Sequence, residues 1–309
     1  MRILFITATR VGDAVLSTGL LDHLIRRYPD ARFTIACGRV AAEVFDRMPG
    51  RERTLIIDKR PWDLHWPALW LQAVARRWDL VVDLRGSALA YMVRAGRRAV
   101  MRRRSGPKIA QLAAVLGLDP PPLPVAWIGA EDRARVAALL PERRIAGRPI
   151  LALGPTANWA PKVWPAERFA GLARALAAGA LPGAVPVVLG GPGPAEAAMA
   201  APLLALLGEA IDLTGRLSLP EAAACLERAA LFVGNDSGLM HLAAAAGAPT
   251  LGLFGPTPAA EYAPSGRRAA AVLATGPAMA DLTEATVLAA AERLLAAERQ
   301  APALVAGEA

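Results

Sequence analysis

Cysteine is nearly absent. Cys37 and Cys225 are the only two in 309 residues, far apart and in no C-x-x-C spacing, which argues against a disulfide framework or a cysteine metal site. The three histidines, His23, His65 and His241, are scattered, so no histidine metal cluster is expected. Although 54% of the chain is hydrophobic, no uninterrupted apolar run reaches the roughly 18 residues that a membrane-spanning helix needs. Met1–Ala8 lacks the apolar region and small-residue cleavage site of a signal peptide and reads instead as a first strand. With so few cysteines, a reducing cytoplasm is the expected compartment. Also missing is a G-x-G-x-x-G after that strand: Thr9-Arg10-Val11-Gly12-Asp13-Ala14 has a single glycine, which disfavours a dinucleotide-dependent dehydrogenase. No D-x-D pair stands where it could hold a metal.

Charge is abundant and unevenly placed. The net charge is +8, yet residues 1–148 hold 26 Lys and Arg against 14 Asp and Glu, and residues 149–309 hold 9 against 13. Between Arg76 and Lys108 lie ten basic residues, including Arg94, Arg97, Arg98, Arg102, Arg103 and Arg104, and two acids, Asp79 and Asp83. A solvated basic face, a nucleic-acid surface and a site for an acidic membrane lipid all fit such a run. Nucleic acid is disfavoured, since no helix-turn-helix, zinc-finger or RNA-binding aromatic pattern accompanies it.

At this length two domains are expected. Strands over 2–7, 32–37 and 79–84 and a helix over 13–27, with Leu16, Leu20 and Leu24 at fourfold spacing, give a first α/β unit. Prolines at 120–124 and 141–149 interrupt it. The alternation then restarts: strands over 149–154, 185–189, 211–213 and 229–233, and helices over 165–178, 195–207, 219–228 and 239–246. The division expected is 1–147 and 148–309, with a closing helix from about 283 that could pack back toward the first domain and a last ten residues that fray. Two doubly wound halves leave a cleft between the carboxyl ends of their sheets, where such folds bind ligands.

The motifs fall on those ends. Gly234-Asn235-Asp236-Ser237-Gly238 joins a buried strand to a helix and outlines an anion site, although Asp236 and Ser237 could serve as helix caps alone. Asp13 stands at another such junction behind Gly12, which lets a substrate approach closely; it is a candidate general base or, again, a cap. The loop Gly154–Pro165 brings Thr156, Asn158 and Lys162 together, groups suited to a phosphate. Lys162 is one of three lysines among 32 arginines, which suggests that a compact point charge matters there. Glu196, in the glycine-rich 190–196 loop, could accept from a ribose hydroxyl, and the 214–219 loop with Leu217 could present backbone to a base. His241 could equally be a satisfied helix residue or a ligand contact.

Taken in order, Arg10-Val11-Gly12-Asp13, Lys162-Val163-Trp164-Pro165, Leu213-Thr214-Gly215, Asn235–His241 and Phe254-Gly255-Pro256-Thr257 resemble glycosyltransferase family 9, the ADP-heptose:lipopolysaccharide heptosyltransferases. The resemblance covers most of the chain. It implies a GT-B fold, α/β with two Rossmann-like domains facing a central cleft, the first taking a lipid acceptor and the second a nucleotide sugar. It further implies that Asp13 deprotonates the acceptor hydroxyl, which attacks the anomeric carbon with inversion. Lys162 and the hydroxyl near Thr156 would face the diphosphate, and Asp236, Ser237 and Gly238 the donor's ribose, phosphate and sugar, with His241 one turn further on. No cofactor or metal is expected, because Lys162 and helix-end N–H groups would stabilise the leaving group.

The expected substrates are therefore ADP-heptose and an anionic glycolipid of the lipid A/Kdo kind, and the protein a monomer at the cytoplasmic face of the inner membrane. Lys59, Arg60, Arg97, Arg98, Arg102 and Arg103 are the acceptor-side candidates, matching no family pattern. Two other readings stand: a GT-B sugar-nucleotide epimerase, which would need no acceptor, and a non-catalytic module binding anionic lipid through the arginines.

Overall fold

The computed structural model describes residues 1–58, 65–102 and 104–300, with side chains through 297. Lys59, Arg60, Arg103 and the last nine residues, including most of those expected to fray, lie outside the described residues. The first unit runs β1 (Arg2–Ile6), α1 (Val11–Arg27), β2 (Arg32–Cys37), β3 (Arg51–Ile56), α2 (His65–Ala73), β4 (Arg77–Asp83), α3 (Leu89–Met92), β5 (Arg94–Val100) and α4 (Lys108–Ala113). Its five strands form a parallel sheet in the order β3-β2-β1-β4-β5. α5 (Ala130–Leu139) and α6 (Glu142–Ile145) lead across to the second unit. That unit runs β6 (Ile150–Gly154), α7 (Ala166–Ala178), β7 (Val185–Val188), α8 (Pro194–Leu206), β8 (Ile211–Asp212), α9 (Leu219–Glu227), β9 (Ala229–Asn235), α10 (Gly238–Ala245), β10 (Thr250–Phe254), α11 (Ala259–Tyr262), β11 (Ala269–Leu273) and α12 (Glu284–Gln300). Its parallel sheet has the order β11-β10-β9-β6-β7-β8.

The central strands are apolar on both faces because helices cover both sides. Ile3, Leu4, Phe5 and Ile6 of β1 and Leu151, Ala152 and Leu153 of β6 are all fully buried. Four strands escaped the sequence reading, β3, β5, β10 and β11; all but the buried β10 are sheet edges. β3 and β5 are arginine-rich, and an edge strand carries such residues toward water, so the apolar run that marks a central strand is missing.

Two bidentate arginine pairs join the crossing segment to both units. Arg47 donates from Nε and Nη2 to Asp132 on α5, both at 2.9 Å, and Arg133 on α5 donates to Glu227 on α9 at 2.8 and 2.9 Å. The Arg47 guanidinium holds the buried Asp132 carboxyl below its usual range. The chain at Pro122–Leu123 passes so close to α1 that a Cβ on Gly19 would lie 2.5 Å from the Pro122 carbonyl. α12, which could have packed back toward the first unit, lies on α7 and β11 of the second. The reason is its Val287, Ala291 and Leu295 stripe, which completes the apolar layer of the second unit.

Candidate active site

Each sheet has one place where neighbouring strands lead away in opposite directions, between β1 and β4 in the first and between β6 and β9 in the second. Ligands of doubly wound sheets bind at such points. Asp13 follows β1, Lys162 follows β6, and Asp236 follows β9.

The two points are brought together by glycine. α1 packs on α10, and their first turns touch: a Cβ on Gly12 would lie 3.0 Å from the His241 ring, and one on Gly238 would lie 3.0 Å from Val11 Cβ and 3.2 Å from the Gly12 nitrogen. A larger residue at either position would push the helix starts apart, and with them Asp13 and Ser237.

Asp13 is the third residue of α1, whose N-cap is Arg10 with no side-chain cap bond. Its carboxylate makes no hydrogen bond or ion pair among the described residues, so capping does not account for it. It lines a cleft of about 300 Å³ with Thr7, Thr9, Arg10, Leu84, Arg85, Lys108 and Leu112. Arg85 is stacked 5.3 Å over the Trp66 ring, which orients a cation beside the aspartate. Arg10, Arg85 and Lys108 were not singled out as site residues in the sequence, although the last two fall inside the basic run.

In the second unit Lys162 Nζ donates to Asp236 Oδ2 at 2.6 Å, with side-chain exposures of 18% and 9%. The pair closes over the β6–β9 crevice. The loop carrying Lys162 is tied to β9 by the buried Asn235, which accepts from Trp164 N at 3.1 Å and donates from Nδ2 to the Pro155 carbonyl at 2.8 Å. Trp164, fully buried, also donates from Nε1 to the Leu282 carbonyl. Asn235 is thus a scaffold residue for Thr156 and Lys162. Thr156 is buried, whereas Asn158 is exposed.

Ser237 is the N-cap of α10, yet its hydroxyl makes no cap bond and is buried without a partner. Thr214 Oγ1, Thr257 Oγ1 and His241 Nδ1 share that condition. Since an unpaired buried polar group costs about 1–3 kcal/mol, four of them, three past the carboxyl ends of β8, β9 and β10 and one on α10, mark a surface built for something other than packing. Glu196 accepts from Gly191 N at 3.0 Å and so pins its own loop. Leu217 is half-buried against the core.

The acceptor-side arginines separate. Arg98 spends its guanidinium on the carbonyls of Ala90, Val93 and Ala95, clipping α3 to β5, and borders the same cleft as Arg102. Arg97 donates to the Tyr28 hydroxyl just past the C-terminal end of α1, the end opposite Asp13. Alternation along a strand sends adjacent side chains to opposite faces, so these neighbours could not serve one site. Arg102 is exposed and lines a second cleft of about 380 Å³ with Tyr91, Arg104 and Gln111.

Burial pushes the His241 imidazole down to about 4, with Lys162 adding to it and Asp236 and Asp13 opposing. The folded state therefore resists protonation that the unfolded chain accepts from its ordinary value of 6.5. The sign is that His241 contributes full stability above about pH 6.5 and loses roughly 3 kcal/mol of it as pH falls toward 4. Melting temperature should drop across that window, and His241→Gln should flatten the drop; an equally steep fall in the variant would assign it to other groups.

Among the described residues no group of three or more His, Cys, Asp or Glu could hold a metal ion, and no helix is long and apolar enough to cross a membrane. Lipopolysaccharide heptosyltransferase 2 of Salmonella typhimurium is 26% identical over 299 residues, covering 83% of each chain. The solved structure of a family 9 glycosyltransferase from Veillonella parvula superposes with a TM-score of 0.83 at 21% identity, covering 96% of this chain and 97% of that one. E. coli ADP-heptose lps heptosyltransferase II gives 0.75 at 22%, covering 97% and 100%. The fold is GT-B, with a Rossmann-like sheet in each half as expected. The model for glycosyltransferase family 9 (heptosyltransferase) matches residues 70–291, and with the bulk of the chain accounted for in this way, the protein belongs to that family of glycosyltransferases.

Proposed function

We propose that this enzyme moves heptose from ADP-heptose onto an anionic lipopolysaccharide-core acceptor, with inversion. The observation behind the reading is the placement of an unpaired carboxylate, Asp13, across a glycine-to-glycine contact from the Lys162–Asp236 pair. An inverting displacement needs a base at the nucleophile and positive charge at the departing diphosphate, and these are the two halves of that arrangement. Lys162 Nζ keeps two donors after meeting Asp236, enough for phosphate oxygens. The acceptor's phosphate or carboxylate groups would meet Arg10, Arg85 and Lys108 beside Asp13, with Arg102 further out.

The acceptor is a lipid, so attachment to the cytoplasmic face of the inner membrane follows. Leu71, Tyr91 and Met92 are 66%, 68% and 59% exposed, beside an edge strand rich in arginine, and each basic residue near an anionic surface adds about 1 kcal/mol. Molar salt should release the protein from membranes; retention would point to an apolar anchor instead.

Calorimetry with ADP, UDP, GDP and CMP tests the donor. Selective ADP binding is the expected result, and preference for UDP or GDP would move the enzyme to another sugar. Transfer should survive saturating EDTA, since Lys162 supplies the charge; complete loss restored by Mg²⁺ would overturn the metal-free mechanism. Donor incubated without acceptor should stay unchanged, whereas conversion to an isomeric nucleotide sugar would favour the epimerase.

A further inference from the structure

The segment after β10 has entered the site so far only through the unpaired Thr257 hydroxyl. It leaves the sheet at Phe254, beside the end of β9, where Asp236 N donates to the Leu253 carbonyl at 3.1 Å. Gly255, Pro256 and Thr257 therefore sit next to Asp236 and Ser237. α11 then carries the chain to the first unit, where Gln111 Nε2 of α4 donates to Glu261 Oε1 at 3.3 Å. That same helix, through Lys108 and Leu112, lines the Asp13 cleft. Residues 257–262 thus close one side of the space between Asp13 and Ser237.

Two hydroxyls stand on that wall. Thr257 Oγ1 is buried with no partner, and Tyr262 is half-buried against the core that both units share. Burial, then the carboxylates of Glu261 and Asp13, a hydrogen bond to the Glu261 side chain and the Asp236 carboxylate hold the Tyr262 phenol above its ordinary value. The phenol thus keeps its proton and lies within electrostatic reach of both halves of the site.

Sheet order gives the direction of a bound donor. The 190–196 and 214–217 loops lie on the β7–β8 side of Lys162, and the 255–262 segment lies on the β10 side. A diphosphate at Lys162 with its nucleoside over β7 and β8 sends the sugar toward β10. The anomeric carbon must also come near Asp13, and the β10 side is where the first unit crosses over.

We propose that the Thr257 and Tyr262 hydroxyls bind the hydroxyl groups of the transferred sugar and set which sugar is accepted. The inference rests on the glycosyl-transfer reading above. A site built to hydrogen-bond a substrate hydroxyl discriminates strongly, because an analogue lacking it leaves the buried group unpaired. It also explains why an unpaired buried threonine hydroxyl is kept at a cost to the free protein.

Thr257→Val and Tyr262→Phe separate recognition from folding. Removing an unpartnered buried hydroxyl should leave the Thr257→Val melting temperature equal or higher. ADP affinity by calorimetry should stay within about twofold, while kcat/KM for ADP-heptose falls about tenfold for each variant, the scale of one lost hydrogen bond. A parallel fall in ADP affinity would place these groups on the nucleotide and overturn the proposal, and wild-type turnover would remove that hydroxyl from the sugar site. If the wild-type enzyme takes another nucleotide sugar, the donor assignment fails by itself; the same comparison is then made with that sugar and its nucleoside diphosphate, and decides the inference independently.

Discussion

Asp13→Asn should bind ADP as the wild type does and transfer sugar slower by about 10² or more, the usual cost of losing a general base. The substitution keeps the side chain's shape and removes only its ability to take a proton. No hydrogen bond or ion pair is lost, since the carboxylate makes none among the described residues, and loss of an acid from the first turn of α1 costs about 0.3–1 kcal/mol through the helix dipole. Stability and rate therefore separate: a melting temperature near that of the wild type with turnover nearly gone. Single-turnover rates with enzyme and acceptor in excess over donor would measure it. Wild-type turnover would take Asp13 out of the mechanism.

Much of this architecture was legible in the sequence, and the reasons are local. β1, β6 and β9 are buried on both faces and so are written as unbroken apolar runs; α1 declares itself by Leu16, Leu20 and Leu24. The edges β3 and β5 do not, because Arg51, Glu52, Arg53, Arg94 and Arg97, half-buried or exposed, interrupt the hydrophobic signal. Site residues on strand-to-helix junctions were found for the same reason: Asp13, Lys162, Asp236 and Ser237 follow apolar strands in turns of recognisable composition. What the sequence could not show is pairing across distance. Nothing in the chain order says that Lys162 meets Asp236, 74 residues away, or that the Arg98 guanidinium turns back on its own strand. Thr257 lay inside a quoted motif, but its hydroxyl became informative only once it proved buried and unpartnered. Arg10, Arg85 and Lys108 are joined by the fold alone, from the N-cap of α1, the turn after β4 and the start of α4.

The Lys162–Asp236 pair allows structure and function to be pulled apart. Lys162→Ala leaves the Asp236 carboxylate largely buried without its cation. Breaking a fully buried pair costs about 3–5 kcal/mol, and the partial exposure of Lys162 argues for the lower figure of roughly 2–3 kcal/mol. In a protein of this size that lowers the melting temperature by about 3–5 °C. ADP affinity should fall as well, by the roughly 1.5–3 kcal/mol of a charge-assisted contact to phosphate. Adding Asp236→Asn removes the stranded charge, so the Lys162→Ala/Asp236→Asn protein should regain most of the lost stability. It should not regain ADP affinity, because the ammonium that met the diphosphate is still missing. Calorimetric melting and ADP titration of both single variants and the double variant complete the cycle. Unchanged ADP affinity in Lys162→Ala would reduce the lysine to a counter-ion for Asp236. Recovery of affinity with stability in the double variant would mean that the pair shapes the loop, and that the helix-end N–H groups of α10 hold the diphosphate without it.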